Sequence, residues 1–153
     1  MLVLERTFET AGPDSEALPR VRAYLAKVGF HPDASGLRFS RGDVTGSLFG
    51  TDPRRWACTL TLTVAAESGG VRIAALLEVR TLGQSVNKPE GWFFSAELDA
   101  LGPIAAGELP PEPVTDELVA LARRRARIAW AIGLGFALAA LVFLLVALAR
   151  EPE

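Results

Sequence analysis

The chain has 153 residues, half of them hydrophobic, with sixteen Lys or Arg against eighteen Asp or Glu and a single cysteine. That length supports one modest core rather than several, and one cysteine excludes an intrachain disulfide and fits a reducing compartment. Charge is unevenly placed: residues 1–117 carry eleven basic and sixteen acidic side chains, a net of −5, while residues 118–153 carry five and two, a net of +3. An acidic N-terminal part argues against nucleic acid as the main partner and predicts a head held off an anionic membrane surface.

Taken in chain order, "LVLERTFET" reads as a first strand, followed by breakers at residues 12–14. Leu18, Val21, Leu25 and Val28 then recur at helical spacing, with Ser15 or its neighbours as cap, Pro19 in the first turn and Gly29 as the left-handed stop. "GLRFS" and "TGSLFG" alternate around Arg41-Gly42-Asp43, which predicts a hairpin turn rather than an adhesion tripeptide. In "RRWACTLTLTVAA", Trp56, Cys58, Leu60, Leu62 and Val64 share one face, and "VRIAALLEVRTL" alternates in the same way, so the two predict a hairpin across Glu67-Ser68-Gly69-Gly70. Asn87-Lys88-Pro89 marks a second helix with Phe94, Leu98 and Leu101 on one stripe, ended by Gly102-Pro103. The expected fold class is α+β: a small antiparallel sheet in the order β-α-β-β-β-β-α with two helices on one face, forming a head over residues 1–107.

Residues 108–115 form a Pro-rich linker, expected to be semi-rigid and extended. Thr115 is a suitable N-cap, and no breaker that a membrane would not tolerate follows, so one continuous helix is expected over 116–149. Its stretch 128–149 is 22 residues without a charge or a proline, which as a helix reaches about 33 Å, close to a bilayer core of about 30 Å. A secretory signal is a poor fit, because Glu5, Arg6 and Glu9 leave the N-terminus without an apolar region. Arg123, Arg124, Arg125 and Arg127 precede the span and only Arg150 follows, so positive charge predicts a cytoplasmic head and an outer tail at 150–153. Trp130 lies at headgroup depth, the arginines suit anionic lipid, and a tail-anchored, post-translationally inserted topology is the expectation. Ala131, Gly135 and Ala139 are spaced by four, a small-residue stripe through which two spans could dimerise.

No residue offers itself for catalysis. The single histidine, His31, reads as a surface-loop residue, and Cys58 as a small buried hydrophobe. Neither "GLGF" nor "GSLFG" has the spacing of a nucleotide loop, and Glu97 and Asp99, two apart on a helix, face different ways. No cofactor or metal site is therefore expected. Arg38, Arg41, Arg54 and Arg55 with Trp56 have the composition of an interaction patch. The sequence thus predicts a single-pass membrane protein with a non-catalytic head that binds or scaffolds a protein partner. An alternative is a head that holds a lipid or small apolar ligand against Trp92, Phe93 and Phe94.

Overall fold

A computed structural model describes residues 1–11, 14–49, 52–67, 69–81, 86, 88–108 and 112–148. Several expectations lie outside these residues: the breakers at 12–13, Ser68 in the turn, Asn87 at the helix start, 109–111 of the linker, and the tail at 150–153. The side chains of Ser15, Arg125 and Trp130 are likewise outside the description.

The elements run β1 (Leu2–Ala11), α1 (Asp14–Lys27), β2 (His31–Pro32), β3 (Arg38–Arg41), α2 (Val44–Phe49), a 3-10 turn (Pro53–Arg55), β4 (Cys58–Glu67), β5 (Gly70–Val79), α3 (Lys88–Asp99), α4 (Leu101–Ala106) and α5 (Glu112–Leu148). The fold is α+β, with a five-stranded antiparallel sheet in the order β1-β5-β4-β3-β2. The central hairpin pairs Cys58 with Val79 at its open end and Glu67 with Gly70 at its turn. Strand parity sends Cys58, Leu60 and Leu62 of β4 and Ile73, Ala75 and Leu77 of β5 to one face, where they meet the helices. The other face carries Thr59, Thr61, Thr63, Arg72, Leu76 and Glu78, none of which belongs to the core cluster.

α1 contributes Ala17, Val21 and Leu25, one turn apart and fully buried, each of the larger two worth about 1.5–3 kcal/mol of burial. It stops in a Schellman arrangement: Gly29 adopts φ +91°, and the Phe30 amide donates back to the Leu25 carbonyl at 2.8 Å. β1 is an edge strand, and its inward-facing Arg6 donates to Asp99 at 2.7 Å and to Ser95 at 2.9 Å. A charge turned inward on an edge discourages pairing with another chain.

The structure corrects four local expectations. "TGSLFG" is not a strand: Thr45 to Phe49 lie in α2, with Gly50 outside the described residues, so Arg41-Gly42-Asp43 joins a strand to a helix rather than two strands. The reason is a cap, since the Asp43 carboxylate accepts from the Gly46 amide at 2.5 Å and its carbonyl accepts from the Ser47 amide at 3.1 Å. Pro19 falls in the second turn of α1, because the helix starts at Asp14. Gly102-Pro103 does not end a helix but opens α4, where a proline in the first turn forfeits no hydrogen bond. His31 pairs with Ser40 in the short strand β2, on the exposed edge of the sheet.

α5 is 37 residues long and begins at Glu112, so Thr115 lies inside the helix rather than capping it, and residues 112–115 are helix rather than extended linker. Its N-terminal part packs on α3 and touches the 3-10 turn, and Val119 is buried in the main core. Its described side chains from Ala131 to Phe143 are all exposed. Among the described residues no helix is long and apolar enough to cross a membrane, so the span expected over 128–149 does not follow from the fold.

Candidate functional site

The five residues of the expected patch separate into different surroundings. On β3, Phe39 and Arg41 share the buried parity while Arg38 and Ser40 face out, so Arg38 and Arg41 lie on opposite faces of the sheet. Arg41 is 5% exposed and forms a two-pronged ion pair with Glu97 of α3, Nη1 to Oε1 at 2.6 Å and Nη2 to Oε2 at 2.7 Å. Its guanidinium also lies 4.4 Å from the centre of the Phe30 ring and 5.7 Å from that of Phe93, and Nη1 donates to the Val28 carbonyl at 3.2 Å. Burial works against the Arg41 charge, but the Glu97 carboxylate outweighs it and its pKa stands above the ordinary value.

This knot holds the sheet to α3 and commits both terminal nitrogens of Arg41, while its Nε is buried without a hydrogen-bond partner among the described residues. Beside it Cys58 is buried, and burial pushes its thiol up to about 11, with Arg41 pulling weakly the other way, so it is a poor nucleophile at neutral pH. Trp56 is buried as well, its ring 6.0 Å from that of Phe94, which meets Phe93 edge to face at 5.2 Å. Phe93 and Phe94 are therefore core, and Trp92 is 55% exposed. The cleft beneath the sheet, among Tyr24, Leu25, Leu60 and Leu101, has a volume of about 10 Å³, room for about one water. A ligand pocket needs roughly 300–1,000 Å³.

Two of the patch arginines, Arg54 and Arg55, lie in the 3-10 turn that α5 touches. Asp52 organises this place: one carboxylate oxygen accepts from the Arg54 amide at 3.0 Å, capping the 3-10 turn, and the other pairs with Arg123 of α5. Pro53 and Trp56 sink into the core on either side of the turn, while Arg55 stays exposed. Arg124 and Arg127 are exposed on the next turns of α5. Arg123, one of the expected topology arginines, and Arg54 of the expected patch thus meet at Asp52, which the sequence kept apart as head and anchor. Further along α5, Ala131, Gly135 and Ala139 are exposed, and no heavy atom lies within 4 Å of a Cβ placed on Gly135.

Among the described residues no group of His, Cys, Asp and Glu could hold a metal ion. The carboxylates diverge: Glu97 is committed to Arg41, and Asp99 to Arg6 on the outer side of α3. No protein-family model matches the chain, and neither a curated protein nor a solved structure matches it significantly.

Proposed function

We propose that this chain is a single-pass membrane protein whose α+β head is a non-catalytic binding or scaffolding module held at the bilayer surface by α5. The observation that carries the reading is the uncharged run of 22 residues from Ile128 to Ala149, which starts immediately after a basic stretch clamped to the head by Arg123. Outward-facing leucine, isoleucine and phenylalanine side chains between Ile132 and Phe143 support it, since such a surface is costly in water and natural in lipid. Four arginines before the run and Arg150 after it favour a cytoplasmic head. A non-catalytic role is supported by the small size of the cleft beneath the sheet and by the pairing of Glu97 with Arg41 and of Asp99 with Arg6. Partners are then anionic lipid, a protein docked on the head, and a second copy along the stripe of Ala131, Gly135 and Ala139.

Replacing Leu138 and Leu141 together by arginine in the full chain is expected to move it from the membrane to the soluble fraction, because each charge at mid-span costs about 2.5–3.5 kcal/mol. Unchanged retention would sink the anchor. Purification of the intact protein in mild detergent, with mass spectrometry of what accompanies it, tests the module: a protein partner supports scaffolding, and a stoichiometric lipid alone overturns it.

A further inference from the structure

The sheet face turned away from the core is open to solvent, with Leu76 36% and Val3 47% exposed. Strand register sets one row across it: Glu5 of β1 stands opposite Leu76 of β5, Leu76 opposite Thr61 of β4, and Thr61 opposite Arg38 of β3. The row is acidic at one end, basic at the other and uncharged between. Glu5 and Arg38 are both exposed, and among the described residues neither side chain has an ion pair or a hydrogen bond. Arg72, on the same face, is already taken by Glu9 and Glu67. The neighbouring row puts Ala74 opposite Thr63, so the middle of the face is built of short side chains.

Two such faces pack with their strands aligned within about 30° and the sheets about 10 Å apart. For two identical copies this requires a two-fold axis lying in the interface, either across the strands or along them. An axis across the strands lays β1 on β1 and β3 on β3, so that the strand bearing Glu5 faces itself and so does the strand bearing Arg38. An axis along the strands, passing between β5 and β4, lays β1 on β3 and β5 on β4. Glu5 then faces Arg38 of the second copy at both ends of the row, and Leu76 meets Thr61. Charge complementarity selects the second arrangement. Three strands of ten residues, about 4.8 Å apart and about 33 Å long, cover about 480 Å² in plan. A standard stable interface buries about 800 Å² on each partner, so this contact is of the reversible kind.

We propose that two copies of this chain pair reversibly through this sheet face, about a two-fold axis along the strands, with Glu5 of each against Arg38 of the other. The surface is separate from the small-residue stripe of α5, and the pairing does not depend on α5 crossing a bilayer.

The test uses the full chain in mild detergent, carrying Thr61→Cys or, as reference, Ala23→Cys on the exposed side of α1, treated with a short thiol-to-thiol crosslinker. The unsubstituted chain, with Cys58 buried, gives the background. The expected result is crosslinked dimer at 61 about threefold or more above that at 23, falling to the reference level with Glu5→Arg or with Arg38→Glu and returning when the two are combined. Crosslinking at 61 no greater than at 23 overturns the pairing. An excess at 61 that ignores the single charge changes, or that the double change does not restore, overturns it as well. Flotation of the same chain with lipid vesicles reads the anchor separately: a chain that floats without the excess at 61 loses the pairing alone, and one that shows the excess without floating loses the anchor alone.

Discussion

At the scale of single residues, the most consequential choice in the head is the Arg41–Glu97 pair. Two charges less than a tenth exposed are stable together only because each satisfies the other. Glu97→Leu alone, or Arg41→Met alone, is expected to cost about 3–5 kcal/mol, read as a lowered urea midpoint of the full chain in detergent. The double variant should recover most of that loss, since a well-packed apolar pair of similar volume is often as stable as the ions it replaces. A double variant as unstable as the singles would mean that the pair organises more than itself. Part of this was legible beforehand. Arg41 is two residues from Phe39 on a strand, and Glu97 is four from Phe93 on a helix, so parity and period put both on buried faces. Composition misleads here, because arginine beside tryptophan describes a hot spot and a buried knot equally well, and only the partner across the core separates them.

At the scale of elements, β1, α1, β4, β5 and α3 follow from their periodicity, and α2 does not. "TGSLFG" is too short for periodicity to tell strand from helix, and what decides is Asp43 capping the Gly46 amide. The cap is visible as an acid before a short apolar run, yet a hydrogen bond donated by a glycine amide leaves no side-chain signature. Gly46 is the sensitive position. Gly46→Ala drives a methyl into the Arg55 carbonyl, backbone that cannot swing away, and is expected to cost about 1–3 kcal/mol. Gly69→Ala, at φ +105° with open space around it, should cost only about 1 kcal/mol of backbone strain. Thermal melts of the two variants give the comparison, and equal losses would mean that α2 is not seated on the 3-10 turn as described.

For the whole molecule, the boundary drawn by composition is misplaced in energy. Three prolines in "GELPPEPV" suggest that the head ends near residue 107, but composition reports local stiffness and says nothing of what the chain does next. α5 returns to pack on α3, buries Val119 and pairs Arg123 with Asp52, so the folding unit extends at least to Arg123. A chain cut after residue 110 is expected to be less stable than one cut after Arg127 by at least about 2 kcal/mol, the burial of one valine alone. Chemical denaturation of the two truncated proteins measures this, and coincident curves would make the early part of α5 an ornament of the head rather than a part of it.

Because α5 is fastened to the head at one end and is a single helix to Leu148, rotation of the helix about its long axis and rotation of the head are one motion. The compass bearing of the open threonine face of the sheet is therefore set by the phase of the helix, at about 100° per residue. A single residue inserted between Arg127 and Ile128 would change no contact within the head. It would nonetheless turn that face through more than a quarter circle relative to whatever the distal helix grips. Two copies joined along α5 would consequently present their sheets at an angle fixed by residue count, as cams on a common shaft.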